Sequence, residues 1–188
     1  MKGGLNVYSS QENRGMPFEE EIIFTNQQYV QRKVAYIEKV PTPIKVLQLD
    51  SQGRIKDGFF EKKGQVDFAG TYQGHSIHFD AKSTTVETRF DLKNIPSHQV
   101  ENLELHQQMG GTCFFLIRFE IQQEIYLLPH QNLKYYWDRQ KPGKRGTNSI
   151  PYEDFLKYGF KVQSTKRAVL DYLQQVDNLN HILQQHSG

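Results

Sequence analysis

At 188 residues, with 37% hydrophobic and 12% aromatic content, the chain can bury one sizeable core, and we expect a single domain over residues 1–188. A formal net charge of +2 excludes a strongly basic surface field, so a polyanion would have to be bound by local positive patches. The single cysteine, Cys113, excludes an intrachain disulfide framework, and we find neither a signal peptide nor an apolar run of ~18 residues, which predicts a cytoplasmic protein without membrane segments.

The first third of the chain predicts a helix, a strand and a separate hairpin. Apolar residues recur at helical spacing from Phe18 to about Lys33, and Val34 to Glu38 then alternates as a strand. Two further strands, Ile44 to Leu49 and Ile55 to Phe60, follow a pair of prolines and flank a glycine turn. Because closely spaced prolines often mark where a chain leaves the main sheet, we expect residues 42–64 to form a projecting hairpin.

A second hairpin carries the polar residues on which the functional prediction depends. Val66 to Tyr72 and Ser76 to Lys82 alternate in hydrophobicity on either side of a short turn, so they are expected to pair as antiparallel strands. Asp67 and Asp80 would then lie near one end of the hairpin. The two-residue period of a strand places Asp80 and Lys82 on one face of it.

The second half of the chain predicts helices around a buried strand pair. A helix from Ser97, whose hydroxyl could cap it, extends to about Met109, where two glycines end it. The apolar runs that follow predict strands at Thr112 to Phe119, which buries Cys113 as an inert thiol, and at Glu124 to Leu128, then a short helix near Leu133 to Trp137. A final helix is expected from about Lys166 to Gln185, with an apolar stripe that forms either core or a dimer seam. The predicted fold class is therefore α/β, a mixed sheet flanked by helices.

Two carboxylates beside a lysine suit metal-assisted hydrolysis of a phosphodiester. A hard divalent cation held by carboxylates polarises the phosphate and makes a bound water more acidic, which favours Mg²⁺, with Mn²⁺ as a substitute. An ammonium group at Lys82 could orient that water or stabilise the pentavalent state. The alternative is a surface hairpin with a salt-bridged pair of Asp and Lys.

Six sequence matches in order extend beyond this hairpin. They are YSS at 8–10 with NRGM at 13–16, KVPTP at 39–43, VDFAGTYQG at 66–74, FDAK at 79–82, HQ at 98–99 and YWDR at 136–139. Together they resemble the RecU-type Holliday junction resolvases over about residues 8–159. The resemblance implies a PD-(D/E)xK nuclease with a restriction-endonuclease-like core, in which the hairpin at 42–64 is a stalk that enters the centre of a DNA junction.

The resemblance also implies roles for particular residues. Asp67, Asp80 and Gln99 would be metal ligands with Gln65 at the fourth position, and Lys82 would stabilise the transition state. Asp80 stands where the family usually has Glu, and Gln65 where it usually has Thr, but both side chains still offer an oxygen. Glu19 is a possible extra acid facing the metal; alternatively, it complements the dipole of its helix.

Positive residues that could contact DNA phosphates occur near the start of the chain and in two clusters. They are Arg14, then Lys45, Arg54, Lys56, Lys62 and Lys63, and finally Arg139, Lys144 and Arg145. The last two belong to a basic loop at about 140–150 that we expect to be flexible and to order on nucleic acid. The alternative for each cluster is a solvated face.

These expectations combine into one hypothesis with two alternatives. The chain is expected to be a homodimeric, Mg²⁺-dependent endonuclease that nicks two strands of a four-way DNA junction, because such a junction has near two-fold symmetry. A recombinase or a branch-migration helicase is a possible partner. The alternatives are a nuclease of the same fold with another DNA target and a non-catalytic factor that binds junctions and anneals strands.

Overall fold

The computed structural model describes residues 17–60, 66–141 and 147–185. In chain order the elements are α1 (Phe18–Gln31), β1 (Ala35–Lys39), β2 (Ile44–Leu49), β3 (Ile55–Phe60), β4 (Phe68–Tyr72), β5 (His75–Thr84), β6 (Arg89–Asp91), a 3₁₀ turn (Leu92–Asn94), α2 (Ser97–Gln108), β7 (Thr112–Phe119), β8 (Glu124–Pro129), α3 (His130–Asp138), β9 (Ser149–Pro151), α4 (Tyr152–Tyr158), β10 (Phe160–Val162) and α5 (Tyr172–Gln185). Among these described helices, none is long and apolar enough to cross a membrane.

Six of the strands form one mixed sheet in the order β1-β4-β5-β7-β8-β10. All neighbours are antiparallel except β5 and β7, which run parallel and are joined by the crossover that contains α2. The centre of this sheet is β7, whose apolar residues are buried on both faces, as its unbroken hydrophobic run predicted. The predicted mixed α/β architecture is confirmed.

Apolar side chains on the two faces of the sheet form two cores. Alternate residues of β5, such as Phe79 and Ala81, point towards α1 and α5 in the first core. The second core lies on the opposite face, where Phe115 and Ile117 of β7 pack with residues of α2, α3 and α4. Because successive side chains of a strand point to opposite faces, Asp80 and Lys82 of β5 lie on the face of the second core.

Close backbone packing at β4 requires glycine. A Cβ atom built on Gly70 would lie 2.1 Å from the carbonyl oxygen of Tyr36 in the neighbouring strand β1, far inside van der Waals contact. The glycine allows β1 and β4 to pair in the register that opposes Gly70 and Ile37. This register fixes one edge of the sheet next to the hairpin of β4 and β5.

The strands β2 and β3 form a separate two-stranded sheet, as predicted for the projecting hairpin. Every residue of both strands is exposed, including apolar residues such as Phe59 and Phe60, which are 50% and 70% exposed. The part of the predicted stalk at 61–64 lies outside the described residues.

The structure corrects two predicted features, the start of the last helix and the cap of α2. The last helix begins at Tyr172 and not near Lys166, because the preceding segment forms a loop in which the N–H of Asp171 donates to the carbonyl of Gln163. Ser97 does not cap α2: Pro96 occupies the N-cap position, and no side chain caps that end. Of the predicted apolar stripe, Leu173 and Val176 are buried in the first core, which supports the core interpretation for this part of α5.

Asp171 holds this loop and α5 against α1. Its carboxylate is only 2% exposed and accepts hydrogen bonds from the hydroxyls of Tyr29 (2.9 Å) and Thr165 (2.5 Å) and from Nε of Arg167 (2.9 Å). A buried carboxylate is tolerated only when such donors replace its hydration. The network therefore explains why the helix starts late, since Asp171 bonds to side chains of the loop.

Candidate active site

The register of the β4–β5 hairpin brings the two acids together. Phe68 is paired with Phe79, so the preceding residue, Asp67, lies beside Asp80 at the end of the hairpin away from its turn. The N–H of Asp67 donates to Oδ1 of Asp80 at 3.1 Å, and the N–H of Ala81 donates to Oδ2 of Asp67 at 3.0 Å. The predicted proximity of the two carboxylates is confirmed, and these reciprocal bonds hold both of them to the backbone.

Lys82 lies beside both acids. Its Nζ is 3.1 Å from Oδ2 of Asp67 and 3.8 Å from Oδ1 of Asp80, and the lysine side chain is 16% exposed. Because Asp80 and Lys82 are two residues apart on β5, they share the face that the strand period predicted. The ammonium group is therefore both anchored by the acids and accessible to a ligand at the edge of the site.

Gln99 reaches the acids from the first turn of α2. Its side chain is 8% exposed, and Nε2 lies 3.4 Å from Oδ1 of Asp67. Oε1 of Gln99 and Oδ2 of Asp80 are buried oxygens for which the described residues offer no hydrogen-bond donor. Leaving such an acceptor unpaired costs about 1–3 kcal/mol. A site with two unpaired oxygens is therefore suited to bind a group that accepts their electron pairs, such as a cation.

These oxygens fit a hard divalent cation. Asp67, Asp80 and Gln99 offer only carboxylate and amide oxygens, the donor set that Mg²⁺ and Mn²⁺ prefer. Within the described residues, no group of three or more His, Cys, Asp or Glu side chains is placed to hold a metal ion. The predicted ligands Asp67, Asp80 and Gln99 do not count as such a group, because Gln99 provides an amide oxygen and not a carboxylate.

The electrostatic environment of Asp80 also favours a bound cation. This side chain is fully buried, and burial together with the neighbouring charge of Asp67 raises its pKa, while Lys82 opposes the rise. Without a cation, two adjacent carboxylates therefore disfavour ionisation of the buried one. A bound cation would favour the ionised form of Asp80, since an opposite charge lowers the pKa of a carboxyl group.

Glu19 lies at a groove next to this cluster. The groove has a volume of about 470 Å³ and is lined in part by Glu19, Glu20, Lys39 and Lys82. Glu19 forms an ion pair with Lys39 there. The role of Glu19 as an extra acid facing the metal, which the resemblance implied, stays a prediction.

The predicted DNA-contacting residues that the structure describes are all exposed. Lys45, Arg54 and Lys56 are exposed on the separate hairpin. Arg139, at the end of α3, is also exposed, and its guanidinium group lies over the ring of Tyr135 at 4.9 Å from the centroid. The remaining predicted site residues, Arg14, Lys62, Lys63, Gln65, Lys144 and Arg145, lie outside the described residues.

Two positively charged residues near the site had no role in the sequence-based prediction. Lys39 faces the groove beside Lys82, and only its place in the KVPTP segment singled it out. Arg118 of β7 forms an ion pair with Glu21 and lies over the ring of Phe18 at 4.3 Å from the centroid, which fastens the start of α1 to the sheet. No local pattern in the sequence indicates the ion pair of Arg118 with Glu21, because the two residues are 97 positions apart.

Comparison with known proteins identifies the family. A family model described as "Recombination protein U" (RecU) matches residues 13–178. The Holliday junction resolvase RecU of Levilactobacillus brevis is 38% identical over 170 residues, covering 88% of this chain and 84% of the relative. The protein of the same name from Geobacillus kaustophilus is 35% identical over 171 residues, covering 89% and 84%.

A solved structure described as a Holliday junction resolvase, Archaeoglobus fulgidus Hjc, aligns with 73% of this chain and 93% of its own at 10% identity. Its TM-score of 0.41 is too low to support a conclusion about this chain. The family match and the identity to its relatives over most of their length are sufficient without it, and the chain belongs to the RecU family of recombination proteins.

Proposed function

We propose that the chain is an endonuclease that resolves four-way DNA junctions with the help of Mg²⁺ held by Asp67, Asp80 and Gln99. One observation carries the proposal: two buried oxygens, on Asp80 and Gln99, lack a donor among the described residues and lie in a cluster with Asp67 and Lys82. The relatives named as Holliday junction resolvases support the choice of substrate.

The geometry suggests a division of labour between the residues. When bound, the cation would polarise the scissile phosphate and make a coordinated water more acidic. Lys82, held by Asp67 at 3.1 Å, can donate a hydrogen bond to a non-bridging phosphate oxygen as negative charge grows there. The backbone donors to both carboxylates keep the acids in place, so little reorganisation is needed during the reaction.

Junction recognition is assigned to the hairpin of β2 and β3 and to exposed cations. A ribbon whose apolar residues are all exposed is unusual for a surface hairpin, and such surfaces commonly contact a partner. We propose that two copies of the chain form a homodimer and that the hairpins enter the junction, where Lys45, Arg54 and Lys56 contact phosphates. Arg139 would contact an arm of the DNA.

The wider setting is also part of the proposal. Opposed nicks in a junction of near two-fold symmetry require two sites, which a symmetric dimer supplies. We propose that the protein acts in the cytoplasm as a single-domain nuclease, after a recombinase or together with a branch-migration helicase. Mn²⁺ is expected to replace Mg²⁺ because it accepts the same oxygen ligands.

Cleavage of a mobile four-way junction tests the proposal. The end-labelled junction and a linear duplex of the same sequence are incubated with the protein in Mg²⁺, in Mn²⁺ or in EDTA, using the wild type and Asp80→Ala. Paired symmetric nicks confined to the junction are expected with either metal. No nicks are expected in EDTA or with the variant.

Two outcomes would contradict the proposal in different ways. Equal cutting of the linear duplex would assign the same site to a nuclease with another target. Tight junction binding without nicks in either metal would assign the chain to a non-catalytic binding factor. Light scattering on the purified protein tests the dimer separately, and a monomer at the concentrations used for cleavage would refute that part.

A further inference from the structure

We infer that His130 is a positioning residue for the metal site, which holds α2 so that the amide of Gln99 meets Asp67 and Asp80. This inference rests on the proposed function, since it takes Gln99 to be a ligand. His130 is the first residue of α3 and is 1% exposed, and it touches none of the acids itself.

Both ring nitrogens of His130 are used on α2. Nε2 lies 3.1 Å from the carbonyl oxygen of Val100, the residue that directly follows Gln99. Nδ1 lies 2.8 Å from Oε1 of Gln107, near the other end of the helix. One buried side chain therefore bonds to both ends of the helix that presents Gln99.

The ring of His130 also packs against β7, the strand next to the one that carries Asp80. It stacks on Phe115 of β7 with centroids 6.4 Å apart and an interplanar angle of 21°. Phe115 is the register partner of Asp80 in the parallel pair of β5 and β7. Phe115, the strand partner of Asp80, thus contacts His130, and His130 in turn bonds to α2, the helix that carries Gln99.

The hydrogen bonds determine the tautomer. A carbonyl oxygen only accepts, so Nε2 of His130 must carry the hydrogen that is donated to Val100. Burial lowers the pKa of His130, whereas Glu104, whose Oε2 lies 3.7 Å from Nδ1, opposes the shift. Gln107 is placed with Oε1 towards Nδ1; a neutral ring with its hydrogen on Nε2 accepts at Nδ1 and pairs with Gln107 when the amide turns its NH₂ group to Nδ1.

His130 restrains the end of α2 that carries the ligand, together with the burial of Val100 in the second core. Pro96 is the N-cap, and no side chain caps the first turn of the helix. Gln99 bonds only loosely to Asp67, at 3.4 Å. The contact of His130 with Val100 is therefore a direct restraint on the backbone next to Gln99. Loss of residues that orient metal ligands without binding the metal typically weakens metal affinity by about 10–100-fold.

Binding of Mn²⁺, measured by electron paramagnetic resonance without DNA, tests the inference apart from cleavage. His130→Phe keeps the ring that stacks on Phe115 but loses both hydrogen bonds, and we expect its dissociation constant for Mn²⁺ to rise by about tenfold. His130→Gln retains a donor for Val100 and should recover most of that affinity. Leu105→Ala, at a residue of α2 that is 61% exposed, is the control and should bind as the wild type does.

A double-mutant cycle separates positioning from a general loss of stability. If His130 acts through Gln99, H130F should weaken Mn²⁺ binding in the wild type and have no further effect in a Gln99→Ala background. An equal factor in both backgrounds, or no effect in either, would overturn the inference. If H130F fails to fold, His130→Asn, whose shorter side chain does not reach Val100, takes its place.

Asp80→Ala distinguishes this failure from a failure of the proposed function. Loss of Mn²⁺ binding in D80A would support the metal site whatever His130 does. Unchanged Mn²⁺ binding in D80A would refute the site itself, and the role of His130 with it.

Discussion

Replacing Asp80 by Asn is expected to stabilise the metal-free protein while abolishing its activity. Asp80 is fully buried, its Oδ2 has no donor among the described residues, and the charge of Asp67 lies beside it. Asn has the same shape, removes the repulsion and can donate to Asp67. Lys82 remains paired with Asp67 at 3.1 Å, so the substitution leaves no unpaired cation.

The size of the effect depends on pH. Burial and Asp67 raise the pKa of Asp80 above its ordinary 3.8, so the protonated form favours folding. This contribution is complete below the ordinary value and is lost as the pH rises through the raised value. At about 1.4 kcal/mol per pKa unit, even half of the rise from 3.8 to about 8 corresponds to about 3 kcal/mol, so D80N should exceed the wild type by at least about 2–3 kcal/mol at about pH 9 and by much less at about pH 5.

Thermal unfolding in EDTA at the two pH values measures this difference. For a chain of this length, about 2–3 kcal/mol corresponds to a rise in Tm of about 4–12 °C. Mg²⁺ should raise the Tm of the wild type much more than that of D80N, because the substitution removes one of the two negative charges that would hold the cation. If D80N were less stable than the wild type in EDTA at the higher pH, the assignment of Asp80 as a destabilised, metal-binding carboxylate would be refuted.

Three further outcomes are expected. Lys82→Ala should retain junction binding but lower the nicking rate by about 10²–10³-fold, whereas Lys93→Ala, at a side chain 80% exposed, should cleave normally. Asp171→Ala should lower the unfolding free energy by about 2–4 kcal/mol in urea denaturation, because Tyr29, Thr165 and Arg167 lose their shared buried acceptor; a loss below about 1 kcal/mol would contradict the network. Gly70→Ala should give insoluble or unfolded protein, since its Cβ would overlap the carbonyl of Tyr36, and a normal far-ultraviolet dichroism spectrum would disprove this.

Local patterns were sufficient for much of the fold. The two-residue period of β5 placed Asp80 and Lys82 on one face, and the strands of the projecting hairpin begin and end where the alternation predicted, at Ile44–Leu49 and Ile55–Phe60. These features depend on neighbours in the sequence, on turn residues and on prolines, so they are visible in a short window. The fit of Gln99 to the acids, in contrast, was implied by the resemblance and not by spacing.

The remaining features were decided by tertiary contacts. Apolar residues before Tyr172 suit a helix, but Asp171 instead bonds to side chains of a loop and to Tyr29, 142 residues away, and the helix starts later. The contact of His130 with Val100 likewise joins residues 30 positions apart with no pattern between them. By itself, the sequence determined the longer strands, the acid pair and the family resemblance, because periodicity and ordered motifs express local geometry; it did not indicate the three-residue strands β6, β9 and β10. Only the tertiary structure decided which distant side chains hold those acids and their helix in place, because hydrogen bonds between packed elements depend on the position of the whole chain.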